Sequence, residues 1–535
     1  MRIVHVFFIL AVAWLAASAF GTPGDTLKSI ALPSGYTLGL AWDGHYLWSS
    51  DRRTDMLYKF DPADGHVLDS IPAPGYFVTG LTFDGKLLWC ADADTPAKLY
   101  AVNPNTRLVE HTMDSPIDQP AGLAWDGTYL WMADPGGGKI HQVDPSDGTT
   151  ILSLTAPTKN PGGMTYDGRY LWVTDRYRDE IYMVTKDKGD VIITFNSPGQ
   201  YPSGLAWDGT NLWSADYQTD RCYRLVIDDG ITFSQKDKRS EQIEFVHQVR
   251  NFGPDSIVTL QVYVAIPHDL NNQKLLAEPT FEPKPAEILT DKWGQQVARF
   301  EFKNIPVSSQ SSVTMRVPAE LYKVRYFVYP EKVGKLEDIP ADIRSKYLVD
   351  DIKFSYNSPI IQKAVKEAVG DEKNPYWIAR KVYNYCIEHL EYQLSGGWNT
   401  APTVLERGNG SCSEYTFVYI AMCRAAGLPA RYVGSVVHRG DDACWDDVYH
   451  RWVEVYLPKY GWIPVDPSGG DGPIPQGRAA YFGQLDNRFV ITTIGGGGSE
   501  YMDWTYNGNE KWVSKGKCRV VVEQFAEWTP LATKK

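Results

Sequence analysis

The sequence predicts a multidomain chain built mostly of β-strands: a five-bladed β-propeller, then a β-sandwich, then a C-terminal α+β domain. Three observations predict it. A motif recurs about every 41 residues through the first two hundred positions; alternating apolar and polar residues follow for about a hundred more; helical patterns then precede two strand patterns in the last third. A chain of 535 residues has room for about three or four domains of ordinary size. The expected boundaries are 1–19 for a signal peptide, 22–229 for the propeller, 231–335 for an Ig-like sandwich and 350–535 for the C-terminal domain.

At the start, Arg2 precedes an apolar run from Ile3 to Ala17, and Ala17-Ser18-Ala19 has the small-x-small pattern of a signal-peptidase site. The mature chain is expected to begin at Phe20 and to be secreted, periplasmic or held at the cell surface. The apolar run is short for a membrane span, and no later segment is longer, so no stable span is expected. A formal net charge of -12, with no long basic run, argues against nucleic acid as a partner and fits neutral or cationic ones better. Seven cysteines are an odd number, which leaves at least one thiol unpaired within the chain. Cys412 is the natural candidate, Cys386 and Cys423 read as buried thiols, and Cys90, Cys222, Cys444 and Cys518 are left open to pairing, with no disulfide assigned.

The propeller rests on counted spacing. Asp-Gly pairs begin at Asp43, Asp84, Asp126, Asp167 and Asp208; tryptophans follow at Trp48, Trp89, Trp131, Trp172 and Trp213; a second aspartate trails each at Asp51, Asp92, Asp134, Asp175 and Asp216. Each unit reads as short strands separated by turns, as in a propeller blade. The first three strands occur five times and the fourth only four times, so Thr26 to Leu32 is expected to supply the missing strand and close the ring. The aspartates are read as turn residues that satisfy backbone amides, and the tryptophans as packing between blades.

In the middle, Gln242 to Arg250, Ile257 to Ile266, Gln296 to Phe302 and Ser311 to Val317 alternate as strands do, with Asn-Phe-Gly-Pro and Asn-Ile-Pro breaks between them. They give the sandwich, read as a spacer. Helices are then expected after Ser358-Pro359 and Asn374-Pro375, where a capping residue precedes a proline whose missing N–H costs nothing.

The chemistry concentrates between Gly410 and Asp466. Cys412 opens an apolar run to Cys423, which predicts a buried helix with the cysteine at its N-terminus; unpaired N–H groups and the helix dipole there favour a thiolate. Gly408 and Gly410 let the backbone turn tightly before it. His450 begins one strand pattern and Asp466 ends the next, joined by a short turn from Pro458 to Gly461, so that the ends bearing them meet. In that setting Cys412 is the candidate nucleophile, His450 the general base and acid, and Asp466 the group that orients the imidazole. Asp441-Asp442 and Asp446-Asp447, in the segment before His450, read as a solvated surface loop.

Three stretches carry a resemblance: Gly410-Ser411-Cys412 with its helix; Ala425 to Val433; and His450-Arg451-Trp452-Val453-Glu454-Val455 with Gly461-Trp462-Ile463-Pro464-Val465-Asp466-Pro467. From about Ser358 to Trp504 the chain resembles the transglutaminase-like superfamily, of papain-type fold. The resemblance implies that Cys412, His450 and Asp466 act on an amide through a thioester intermediate. It also implies an oxyanion-hole side chain, for which Trp398 and Asn409 are candidates. Calcium serves the family's animal enzymes, but no EF-hand type of loop is present, so neither a metal nor a cofactor is expected.

Together these expectations describe an exported thiol enzyme, a peptidase or amidase, acting on a protein or peptide substrate, with a propeller that recruits a protein or glycan partner. A protein-glutamine acyltransferase and a non-catalytic binding or scaffold protein are the alternatives.

Overall fold

The computed structural model describes residues 21–228, 230–394, 397–440 and 444–531. The signal peptide expected at 1–19, its cleavage point before Phe20, and Asp441-Asp442 lie outside the described residues. No helix among the described residues is long and apolar enough to cross a membrane.

The protein is mostly β, with many small four-stranded sheets and a C-terminal domain that adds helices to a sheet. Five of those sheets, each antiparallel, fill the repeat region. Four are formed by consecutive strands. The fifth takes Thr26–Ala31, which pairs with Arg221–Leu225 from Thr26 opposite Leu225 to Ala31 opposite Arg221. The first strands of successive sheets touch in order: Thr37–Trp42, Val78–Phe83, Leu123–Trp125, Pro161–Tyr166, Pro202–Trp207, and from there back to Thr37–Trp42.

One glycine in each repeat explains how the strands come so close. A Cβ on Gly39 would stand 2.9 Å from the Leu81 nitrogen, one on Gly80 2.1 Å from the Ala121 carbonyl, and one on Gly122 2.4 Å from the Gly162 carbonyl. The series ends with Gly163 at 2.5 Å from the Ser203 carbonyl and Gly204 at 2.8 Å from the Leu40 nitrogen. No other residue leaves room for the neighbouring backbone.

The repeating aspartates serve the turns. Asp167 Oδ1 accepts the N–H groups of Arg169 and Tyr170 at 2.7 Å, and its Oδ2 accepts the Trp172 indole N–H at 2.8 Å. The same indole bond recurs at Asp43, Asp84, Asp126 and Asp208, at 2.8 to 2.9 Å. Asp167→Ala leaves the buried Trp172 indole without its acceptor, and should cost about 1–3 kcal/mol. A urea titration would show this as a lower midpoint at unchanged slope.

Two packed sheets follow. One holds Gln273–Leu275, Ser309–Tyr326, Phe233–Pro254, Cys518–Pro530 and Cys444–Asp446 in that order; the other holds Glu287–Thr290, Gln296–Ile305, Ile257–Ala265 and Gly508–Ser514. Phe245, Val249, Leu260, Val262 and Phe300 meet in the core between them. The strand pairing here crosses the boundary expected from sequence. Gly508–Ser514 and Cys518–Pro530, assigned to the unit 350–535, complete the sandwich, because an alternating strand can pair with any exposed edge of matching pattern, however distant in sequence.

In the C-terminal domain, the helices Pro359–Ala368, Pro375–His389 and Ala401–Arg407 surround the helix Cys412–Ala425. Asn374 caps the second, its Oδ1 accepting the Tyr376 N–H at 2.9 Å. Residues Cys412 to Arg424 are all buried, so the cysteine helix forms the centre of the domain. A four-stranded sheet packs against it in the order Gly461–Val465, His450–Leu457, Ala430–Val437, Phe489–Gly495. The strand containing Pro464 lies at the sheet edge, where a missing N–H is tolerated.

Candidate active site

The cysteine helix begins where the sequence places it, and the local chemistry shows why. Gly408 ends the preceding helix in the left-handed region at φ 77°. Gly410 then passes so close to Glu414 that an added Cβ would be 2.9 Å from the Glu414 Cβ. Glu414 folds back to accept the Ser411 N–H at 3.0 Å, which settles one amide at the helix start and leaves Cys412 as its first residue. The same carboxylate accepts the N–H and side-chain amide of Asn399, at 3.1 and 2.8 Å, and pairs with Arg407 at 2.9 Å. Glu414 thus binds three chain segments together beneath the cysteine.

Cys412, His450 and Asp466 come together. The hairpin aligns Leu457 with Gly461 and Val453 with Val465, which brings Asp466 alongside the start of the His450 strand. His450 Nε2 is 2.7 Å from Asp466 Oδ2, while the thiol of Cys412 hydrogen-bonds the same ring, for which Nδ1 remains. Asp466 is itself fixed: its Oδ1 accepts the Ser468 hydroxyl at 2.8 Å and the Gly469 N–H at 3.0 Å. The imidazole stacks against Phe489 at 5.8 Å between centroids.

Electrostatics separate Cys412 from the other thiols. All seven cysteines are unpaired. Burial pushes the thiols of Cys90, Cys222, Cys386 and Cys423 up, which makes them inert. Cys412 is buried too, at 7 % exposure, and burial works in the same direction, but the hydrogen bond and charge of His450 and the Arg451 N–H outweigh it and bring the thiol down. For His450, burial opposes the charge, yet Asp466 and Cys412 prevail and raise the imidazole to about 10. Asp466, despite its burial, is held low by His450 and by the donors from Gly469 and Ser468.

Of the two oxyanion candidates, Trp398 belongs to this cluster: its ring lies 5.3 Å from the guanidinium of Arg451, the residue whose N–H reaches the Cys412 sulfur. Asn409 is engaged elsewhere, its backbone beside Glu391 and its carbonyl accepting from Arg407. A cavity of about 460 Å³ between the repeat region, the sandwich and this domain reaches His450 and Asp466 but not Cys412. Tyr392, exposed, and Tyr506, buried, both feel the charge on the sulfur.

Some residues that hold the site are absent from the sequence reading. Glu414 could have been found there, since Ser411-x-x-Glu414 is a capping-box pattern. Asp446, read as solvated, is buried. Its carboxylate accepts the N–H groups of Val437 at 2.7 Å and Tyr449 at 3.1 Å and pairs with Arg439, fixing the segment that leads into His450. Arg451, fully buried, sits among Trp398, Phe417, Tyr432 and Tyr506 at 4.3 to 5.4 Å from their ring centres, and donates to the Trp504 carbonyl at 2.6 Å. Among the described residues, no cluster of three or more His, Cys, Asp or Glu side chains could hold a metal ion.

Comparison with known proteins places part of the chain. An uncharacterized protein of Haemophilus influenzae is 27 % identical over 171 residues, which is 26 % of this chain and 46 % of that one, so the match spans less than half of the relative's length. An uncharacterized protein of Mycobacterium tuberculosis is 23 % identical over 249 residues, 42 % of this chain and 72 % of that one. Among solved structures, a candidate cysteine protease from Cytophaga hutchinsonii shares 15 % identity at a TM-score of 0.42, over 57 % of this chain and 94 % of that one. The glutaminyl cyclase of Myxococcus xanthus shares 13 % identity at a TM-score of 0.35, over 38 % and 96 %. Residues 362–467 match the family model of the transglutaminase-like superfamily, and those residues carry Cys412, His450 and Asp466. Residues 362–467, built around the cysteine helix, are therefore a transglutaminase-like domain.

Proposed function

We propose that the protein is an exported thiol enzyme that cleaves amide bonds, a peptidase or amidase, through a thioester on Cys412. The observation that carries this reading is the state of one thiol: Cys412 alone combines a helix N-terminus, a hydrogen bond to a partly buried imidazole and an ionisation shifted below that of an ordinary thiol. We also read the ring of five sheets as a five-bladed propeller that recruits substrate.

In this mechanism the Cys412 thiolate attacks the amide carbonyl carbon, and the oxyanion that forms lies at the helix N-terminus, near the Cys412 N–H, with the Trp398 indole as a second donor. His450, protonated and held by Asp466, gives its proton to the departing nitrogen as the C–N bond breaks, leaving an acyl thioester on Cys412. Neutral His450 then takes a proton from water, whose oxygen attacks the thioester. The acid departs, and sulfur and imidazole return to their charged forms. An amine in place of water would yield the acyltransferase reaction. Hydrolysis is preferred because water is the abundant acceptor outside the cell.

Incubation with casein and a labelled amine separates the two reactions: released peptides support hydrolysis, and label incorporated without cleavage supports transfer. The thiolate has its own test. With Cys412 lowered by His450, and His450 raised to about 10, the charged pair is favoured below the imidazole's ionisation more than in a free cysteine and histidine. Iodoacetamide should then alkylate Cys412 at pH 6 about tenfold faster, or more, than it does a simple cysteine peptide. His450→Ala removes both the hydrogen bond and the charge, leaving burial to act alone, so the pH midpoint of alkylation should move up. Equal rates for protein and peptide at pH 6 would refute the activated thiol.

A further inference from the structure

A cavity of about 1040 Å³ opens where loops from all five sheets of the repeat region converge. Positions on which the fold depends are the same in every repeat, as the close-approach glycines and the Asp-Trp pairs show. The cavity lining differs from sheet to sheet. Three residues before each of those glycines stand Tyr36, Phe77, Gln119, Asn160 and Tyr201. Directly after each trailing aspartate stand Arg52, Ala93, Pro135, Arg176 and Tyr217. All ten line the cavity, and the fold does not demand their identities, since each sheet forms with a different residue there.

The lining has a definite chemistry. Arg52, Arg53 and Arg176 contribute to it and no carboxylate does, in a chain whose net charge is -12. The side chains that line the cavity are thus cationic where they are charged, whereas the overall charge had pointed to neutral or cationic partners. None of these three arginines forms an ion pair among the described residues; each lies against a ring instead, Arg52 3.9 Å from the centre of Phe77, Arg53 5.4 Å from Tyr36, and Arg176 5.1 Å from Tyr177. Tyr177 is 64 % exposed. Tyr201 holds its place in the left-handed region at φ 71°, a conformation that is strained for a bulky residue and that clusters at functional sites.

We propose that this cavity binds the end of a carboxylate-bearing oligosaccharide. Sugar rings present apolar C–H faces to the aromatic walls and hydroxyls to the tyrosines and to Gln119 and Asn160, while the arginines take the carboxylate through paired N–H donors. The five sheets surround the cavity laterally, and a chain end is the part proposed to enter it. An acidic peptide would also meet the arginines, but extended peptides are taken up at open sheet edges or in grooves, and this cavity is lined by loops and strand ends from five sheets rather than by one sheet edge. The site is independent of Cys412 and stands whether or not that residue is catalytic.

Calorimetry on the full chain with tetragalacturonate, sialyllactose, neutral galactotetraose and tetraglutamate tests it. At least one acidic sugar should bind, more weakly as salt rises, and about tenfold or more tighter than the neutral tetramer. Arg52→Gln and Arg176→Gln, on separate sheets, should each weaken binding about tenfold, Tyr36→Ala should weaken it too, and Cys412→Ala should leave it unchanged. If one arginine variant fails to fold, the other and Arg53→Gln give the same reading. Failure of both acidic sugars to bind at millimolar concentration, binding indifferent to the arginine variants, or tetraglutamate bound as tightly as the sugars would each overturn the proposal.

Discussion

Cys412→Ala is expected to lower amide turnover by about 10⁴-fold or more while the circular dichroism spectrum stays that of the folded chain. Without the sulfur no thioester forms, and only binding and the donors at the helix N-terminus remain to favour the reaction. His450→Ala should cost a similar factor, since an un-ionised thiol has no route to the carbonyl and the departing amine no proton. The double variant discriminates further. Groups that act as one unit are not additive, so Cys412→Ala with His450→Ala should be no slower than Cys412→Ala alone. A Cys412→Ala protein within tenfold of the parent rate would remove the cysteine from the mechanism.

The second large effect concerns a residue that would touch no substrate. Glu414→Ala leaves the Ser411 and Asn399 N–H groups and the Arg407 guanidinium without their shared acceptor. Breaking a fully buried ion pair costs about 3–5 kcal/mol; Arg407 is partly exposed and recovers some of this in water, so about 2–4 kcal/mol is expected. For a unit of this size that is a fall of roughly 5–10 °C in thermal midpoint. Glu414→Gln should fall between parent and alanine variant, since its amide oxygen still accepts while the charge is gone. Iodoacetamide reactivity should drop in both, because the helix start that favours the Cys412 thiolate is no longer pinned. A thermal midpoint unchanged in Glu414→Ala would show that the carboxylate is not the joint described here.

Much of the local structure was legible in the sequence because it is set by neighbours along the chain. The prolines after Ser358 and Asn374 start helices as expected, Cys412 is the first residue of its helix, and Thr26–Ala31 pairs with Arg221–Leu225, as the missing fourth strand required. What escaped depends on distant partners. Asp446 looks solvated from its acidic neighbours, and only the fold shows it accepting from Val437 and Arg439. Arg451 looks like a surface residue of an alternating strand, and only packing reveals the aromatic cage around it. The strands Gly508–Ser514 and Cys518–Pro530 alternate like any others; nothing local tells them to pair with residues some 250 positions earlier.

That last pairing ties the order of synthesis to the onset of reactivity. Cys444–Asp446 has Cys518–Pro530 as its neighbour in the sheet, and Asp446 in turn steadies the approach to His450. Until residues 518–530 are in place, the segment before the histidine lacks its support, although the cysteine helix and its surrounding helices are already present. Contacts so far apart in sequence form late. The thiol of Cys412 is therefore expected to reach its full reactivity only once residues 518–530 have paired with Cys444–Asp446.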